Sequence, residues 1–374
     1  MFGLQSFYAF FFLFLVIIVL VFGHNLKNEK ERRKFIYICF FLLFLLAGMR
    51  GITVGGDLKR YLPEFYGISR ASLKVIFLYG NHEPGYMLFV KAISIISSED
   101  RFFLLCTSFV SLIGPFLLIY KYSKSPSMSI LLYFALGFYT NTFNNVRQSI
   151  AISIVFCSIP FLFNRKFVKY AIGIVLATCF HYSALIMLIM YPITNKILDF
   201  KKIILYAASS LSIVYFFGFL IMKSVVLSFL SKYDPENFYE EAEGAGWGLF
   251  AFYFIVFLCL CVFYKLKSPQ MVPVNKRMMS VFVLFQIGAM SIQLSAPIFH
   301  SMVRMAYYFY IPVIILAVPF MYSEIRSKSD KIVYCISVFT LALYFMSRVY
   351  AYNPEIGGNG QNVIPYVFGD TVIF

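Results

Sequence analysis

ILLYFALGFYTNTFNNVRQSIAISIVFCSIPFLF occupies residues 130–163. The run is apolar except at its middle, where NTFNNVRQ (141–148) places three asparagines, a glutamine and Arg147 together. An arginine at the centre of a bilayer costs roughly 2.5–3.5 kcal/mol even on lenient insertion scales, so it sits near an interface or serves a function. The stretch therefore reads as two membrane crossings, 127–143 and 145–163. NTFNNVRQ is the turn between them or the start of the second helix.

Composition fixes the solvent. The chain of 374 residues is 61% hydrophobic and 13% charged, where a soluble domain carries about 25% charged residues. Apolar runs of ~17–25 residues recur along it, as membrane-spanning helices require. No alternating ten-residue strands suggest a closed barrel, the other backbone solution in lipid. An all-α polytopic membrane protein forming a single integral membrane domain over 1–374 is expected. The net charge of +15 does not indicate nucleic acid, because its lysines and arginines lie in short loops between apolar spans. The seven cysteines fall within apolar spans, at spacings that make neither a metal cage nor a disulfide frame. They read as small buried hydrophobes.

Charge also orients the chain. The first run, MFGLQSFYAFFFLFLVIIVLVF, lacks a basic n-region and a small-residue cleavage site, so it reads as a span. HNLKNEKERRK follows and should be cytoplasmic, as should the basic loops around Lys121–Lys124, Arg165–Lys169, Lys196–Lys202, Lys265–Arg277 and Arg326–Lys331. Spans are expected near 2–22, 35–49, 101–120, 127–143, 145–163, 167–180, 182–196, 203–222, 248–265, 278–296, 304–322 and 332–349. About twelve crossings put both termini outside, with outer loops 50–82 and 223–247 and an outer tail 350–374. Two places strain the scheme. Loop 50–82 is basic yet falls outside. The segment 84–97 is only ~14 residues, about 21 Å as helix, and reads as re-entrant or interfacial. Segments 167–180 and 182–196 are also short, so one long tilted helix there is an alternative.

On this map the ionisable residues gather at the outer level. Asn144, Arg147, Gln148 and Ala151 follow helical spacing and are expected to share a face. A guanidinium aimed into an outward-open cavity finds its natural partner in an anion. His181 in CFHYSAL is a candidate proton acceptor. His82, Glu83, His300, Arg304 and Arg348 map to the same side. HExxH, GxSxG, P-loop and EF-hand patterns are missing. No Asp-x-Asp pair occupies an outer loop, which weakens a metal-dependent glycosyltransferase.

MRGITVGGDLKRYLPEFY (49–66) resembles the outer-loop motif of EpsG-type exopolysaccharide polymerases, and NHEPGYMLFVKAIS (81–94) is similar to their Glu-x-Gly-Tyr segment. FNNVRQSIAISI (143–154), RKFVKY (165–170) and FHYSALIML (180–188) resemble the next three blocks in order. Arg304 ahead of YYFYIP, and NVIPYVF (362–368), fit more loosely; Gly56 replaces a common polar residue before Asp57.

The resemblance implies a multi-pass Wzy-type polymerase of the bacterial cytoplasmic membrane. Such enzymes join undecaprenyl-diphosphate-linked glycans, donor to acceptor, at the outer face. In that reading Arg147 holds the diphosphate, with Arg50 and Arg304 assisting. His181, Asp57 or Glu83 takes the acceptor proton, with His181 leading. Asn144, Gln148, Tyr61, Arg348 and His300 complete the expected substrate-binding set, and Tyr66 and Tyr86 are further sugar-stacking candidates. No metal or cofactor is expected. The expected partners are the lipid-linked glycans, membrane lipids and a chain-length regulator. A membrane O-acyltransferase (an Asn upstream of His181), an O-antigen ligase and a lipid-linked oligosaccharide flippase are the alternatives.

Overall fold

The computed structural model describes residues 26–340 apart from 27, 81, 196, 222–246, 296–299, 326 and 337–339. Every regular element among the described residues is helical. Among the described residues, five helices are long and apolar enough to cross a membrane: Asp100–Tyr122, Val146–Phe163, Trp247–Gln270, Pro273–Leu294 and Val303–Glu324. They correspond to five of the expected spans. The chain is an integral membrane protein, and its surface agrees: Ile172, Val175, Leu176, Ile255, Leu258 and Val262 are exposed along helices, a lipid-facing pattern.

The other expected spans fare differently. The segments 2–22, most of 332–349, loop 223–247 short of its last residue, and tail 350–374 lie outside the described residues. Segment 203–222 lies within the 22-residue helix Phe200–Ile221, apart from its last residue. Segment 127–143 is two helices, Pro126–Ala135 and Phe138–Asn144, because Gly137 adopts φ 75° between them. That left-handed conformation suits glycine and ends the first helix. Segments 167–180 and 182–196 are not one long helix. Phe167–Thr178 ends before His181, and a 3₁₀ stretch, Tyr182–Ile189, leads into Met190–Ile193. Pro84–Ile96 is a helix of 13 residues, too short to span a core of about 30 Å.

The chain folds as two compact units, Met1–Leu185 with Ile314–Phe374, and Ile186–Val313. The first contains α1 (Glu29–Gly48), α2 (Leu58–Arg70), α3 (Leu73–Tyr79), α4 (Pro84–Ile96), α5 (Asp100–Tyr122), α6 (Pro126–Ala135), α7 (Phe138–Asn144), α8 (Val146–Phe163) and α9 (Phe167–Thr178). Its central bundle is α1, α5, α8 and α9. Lipid supplies no hydrophobic drive between helices, so close approach depends on small residues and interhelical hydrogen bonds. Gly114 of α5 donates its N–H to Ser153 Oγ of α8 at 2.8 Å, and a Cβ there would collide with the Ser153 backbone. Gly173 of α9 lies equally close to Ser158 of α8, where a Cβ would strike the Ser158 side chain.

Named side chains give the directions. Arg32 Nη2 donates to the carbonyls of Tyr120 (2.7 Å) and Ser123 (3.0 Å). Arg101 Nη1 donates to those of Gly48 (3.1 Å) and Arg50 (2.8 Å). α1 and α5 are thus antiparallel. Phe103 and Leu104 cluster with Val146 and Ile150, while the Tyr122 and Phe163 rings meet at 5.1 Å, so α5 and α8 run parallel. Arg165, at φ 56°, turns the chain back into α9. One end of the bundle therefore carries Arg32, Lys121, Lys124, Arg165 and Lys169. The other gathers the starts of α5 and α8 and the ends of α1 and α9.

That second end is covered by α2 and α4. Leu58, Tyr61, Leu62 and Phe65 of α2 form one core with Tyr86, Val90 and Ile93 of α4 and the starts of α5 and α8. Lys91 Nζ closes the end of α2 by donating to the carbonyls of Ser69 (2.8 Å) and Ala71 (2.9 Å).

In the second unit, Pro273–Leu294 packs against Phe200–Ile221, Trp247–Lys267 and Ala306–Pro312. Gln286 donates to the Tyr253 carbonyl at 2.7 Å, Tyr264 Oη to that of Leu198 at 2.6 Å, and the Tyr253 and Tyr310 rings approach to 4.2 Å.

Candidate functional site

Glu83 precedes α4 and is almost wholly buried. Its Oε2 accepts from Arg147 Nη1 at 2.6 Å, and its Oε1 lies 2.9 Å from His181 Nδ1. Tyr182 N adds a longer bond to Oε1 at 3.4 Å. Three separate elements thus meet on one carboxylate: the start of α4, the start of α8 and the break after α9.

The backbone fixes that meeting. Pro84 at the first helical position is tolerated because its missing N–H would have no intrahelical partner. The next two N–H groups, of Gly85 and Tyr86, both donate to the Cys179 carbonyl, at 2.8 and 3.2 Å. A Cβ at Gly85 would lie 2.7 Å from that carbonyl oxygen, so only glycine permits the approach. His181, at the break between α9 and the 3₁₀ stretch, is delivered to Glu83 by this clasp.

Two tyrosines complete the cluster. The Tyr86 ring lies 5.9 Å from the Arg147 guanidinium and 6.1 Å from the Tyr61 ring. Burial pushes the Tyr61 phenol up, and Arg147 beside it pulls it partly back. Burial also works to raise the Glu83 carboxyl. The His181 hydrogen bond and the Arg147 charge together outweigh it and lower the carboxyl to about 2. Glu83 is therefore an anion at neutral pH, poorly suited to be the proton acceptor itself. It is well placed to hold Nδ1–H of His181 and leave Nε2 for a substrate. Arg147 Nε is buried without a partner.

The family comparison bears on the same residues. Residues 33–368 match the model of the EpsG family. The chain belongs to the EpsG family. It is also similar to the amylovoran biosynthesis protein AmsC of Erwinia amylovora, with 27% identity over 162 residues. That match covers 42% of this chain and 43% of the relative, so the chain spans less than half of that curated protein's length. No solved structure matches the chain.

The matched region contains Glu83, Arg147, His181 and Tyr61, which the structure brings together, and other EpsG-motif residues that it does not. Arg50 is 1% exposed, donates to the Ala47 carbonyl (2.5 Å) and Ser108 Oγ (3.2 Å), and stacks 4.6 Å from the Phe143 ring. It fastens the end of α1 rather than facing an opening. Asp57 begins α2, where its carbonyl accepts from Arg60 N and Tyr61 N. Asn144 Oδ1 accepts from Gly56 N at 2.7 Å.

The expected shared face of Asn144 and Arg147 is not formed. Asn144 ends α7 and Arg147 lies in the first turn of α8, with the break at Asn145 (φ −88°, ψ 60°) between the two helices. Gln148 is buried in α8. Arg304 is exposed in the 3₁₀ turn His300–Met305 of the second unit, and Arg348 lies outside the described residues. Of the two further aromatic candidates, Tyr66 bonds through its hydroxyl to Asp100.

Sequence reasoning missed Glu64, which pairs with His82 Nε2 at 2.8 Å. Its place one helical turn beyond Tyr61 was the available signal. It also missed the Cys179 carbonyl, for which a main-chain acceptor left no signal at all.

Proposed function

We propose that this chain polymerises an exopolysaccharide at the outer face of the membrane. It would transfer a glycan from an undecaprenyl diphosphate donor to the hydroxyl of a lipid-linked acceptor. Family membership supports polysaccharide synthesis, as does the similarity to a protein named for amylovoran biosynthesis. The observation that carries the reading is the meeting of a guanidinium and an imidazole on one buried carboxylate. The cluster lies at the bundle end opposite the basic residues Arg32, Lys121, Lys124 and Arg165. Cytoplasmic loops carry the excess of Lys and Arg, which supports an exoplasmic position for the cluster.

The chemistry follows from charge. With His181 neutral, the Glu83–Arg147 pair has no net charge, so Arg147 acts as an oriented donor rather than a free cation. The exposed Lys59 and Arg60 at the start of α2 supply the wider positive field. His181 Nε2 takes the proton of the acceptor hydroxyl as that oxygen bonds to the donor's anomeric carbon. The bond from that carbon to the diphosphate oxygen breaks, and the lipid diphosphate departs with the electron pair. Proton transfer leaves the cluster positive as negative charge grows on the leaving group. Glu83 stabilises the imidazolium, and Arg147 stabilises the departing oxygen. Displacement in this sense inverts the anomeric centre and uses no metal.

The O-acyltransferase alternative loses its expected pairing. The Asn144 side chain is committed to Gly56 and that of Asn145 to Asn141 (2.7 Å), whereas His181 bonds to Glu83. The test replaces Arg147 by Ala and by Lys and follows polymer length in cells at matched protein levels. Both variants should shorten or abolish the polymer while exported single repeats accumulate. Normal long chains in both would remove Arg147 from the mechanism.

A further inference from the structure

Beside the catalytic cluster, α2, α3 and the start of α4 line an open cavity of about 390 Å³. It is lined by the polar Arg60, Glu64 and His82 and by the apolar Val75, Ile76 and Met87. His82 Nε2 is engaged with Glu64 Oε1, but His82 Nδ1 and Glu64 Oε2 are buried with no partner. Tyr86 packs edge-to-face on the His82 ring at 6.0 Å, and its hydroxyl is likewise buried without a partner. Native proteins leave few such atoms unpaired, so their grouping here calls for an explanation.

We infer that this pocket is a sugar subsite, which binds hydroxyls of the acceptor glycan and so sets acceptor affinity. The inference rests on the polymerase reading for the word acceptor, but the pocket's chemistry stands by itself. With Nε2–H donated to Glu64, His82 offers Nδ1 as an acceptor, Glu64 Oε2 is a second acceptor, and the Arg60 guanidinium on the lining can donate. Neighbouring hydroxyls on a pyranose supply donors and an acceptor at once, and its C–H face suits the Val75–Met87 wall. A phosphate would meet the Glu64 carboxylate, and an acyl chain would leave the polar atoms unpaired. The donor's reacting sugar carries the diphosphate and belongs at Arg147. The Tyr86 ring contacts both the Arg147 guanidinium and the His82 ring, so a glycan at the second pocket is near the first.

Gly67 allows a test that touches none of these polar groups. It lines the cavity, and a Cβ built on it meets nothing within 4 Å, so Gly67→Leu adds bulk there without a backbone clash at Cβ, and its melting temperature is checked against wild type. The full chain in lipid nanodiscs is titrated with the repeat oligosaccharide freed by mild acid from the cells' own lipid-linked intermediate. Wild type should bind it. Gly67→Leu and Glu64→Gln should weaken binding at least tenfold and raise the acceptor KM to match, with kcat changing far less. Arg147→Ala should bind the free oligosaccharide as wild type does.

Undiminished binding in either cavity variant overturns the subsite, as does failure of wild type to bind. A fall in kcat with unchanged KM also overturns it, because the pair would then act on the reaction and not on affinity. Binding by wild type that is lost in both variants, without any oligomer formation, would support the subsite while refuting the polymerase reading.

Discussion

Glu83 Oε1 lies 2.9 Å from His181 Nδ1 while the other carboxylate oxygen takes Arg147 Nη1 at 2.6 Å, so one buried anion positions both groups. Residues that act as a unit give non-additive losses. His181→Ala should lower turnover about 10²–10⁴-fold, the usual range for a positioned general base. Glu83→Gln should fall in the same range, and the double variant should be little worse than the worse single one. Single-turnover transfer assays check this. Multiplying losses would mean that the two residues work independently.

Acid should weaken the fold through the same carboxylate. Its value is lowered from the ordinary 4.5 to about 2, so the folded state favours the anion. The stabilisation is fully present above about pH 4.5 and is lost as pH falls toward 2, with a limit of roughly 3 kcal/mol. Unfolding in detergent across that range should slope for wild type and be flatter for Glu83→Gln. Parallel curves would contradict the assignment.

Gly85→Ala should separate the clasp from the chemistry. The new Cβ would press on the Cys179 carbonyl at 2.7 Å and push α4 away from the end of α9. Overpacking of this kind costs about 1–3 kcal/mol. Both melting temperature and turnover should fall although no reacting group is altered. Wild-type activity in Gly85→Ala would mean that the α4–α9 contact does not position His181.

Arg50 should behave as a structural residue. Its guanidinium is buried among the Ala47 carbonyl, Ser108 and the Phe143 ring, so Arg50→Ala removes those contacts and opens a gap. Lower folded yield is expected, with a donor KM in the surviving protein within about threefold of wild type. A large rise in donor KM at normal stability would return Arg50 to the site.

The legible parts of this protein were those with strong one-dimensional signals. Long apolar runs such as 101–120 and 145–163, each carrying a single arginine near its start, correspond to full-length helices, because length and apolarity determine a crossing by themselves. The interruption at Gly137 depended on a backbone conformation, and the end of the helix at Thr178 on the clasp with α4. Arg147, His181 and Glu83 stood out because ionisable residues are costly in apolar surroundings. Spacing could not tell Arg50 from Arg147. Both are arginines at helix ends, and only the third dimension shows Arg50 spent on a carbonyl, a hydroxyl and a ring while Arg147 meets a carboxylate. Glu64 did not stand out, because its pairing with His82 exists only in the folded chain.

The most direct measurement incubates the purified full chain with a single lipid-linked repeat unit, in chelator, and resolves the products by length. Wild type should produce a ladder of higher oligomers, while Arg147→Ala and His181→Ala, equally folded, should leave the single repeat unchanged. Equal ladders from all three proteins, or a wild-type ladder that vanishes in chelator and returns with a metal ion, would contradict the account.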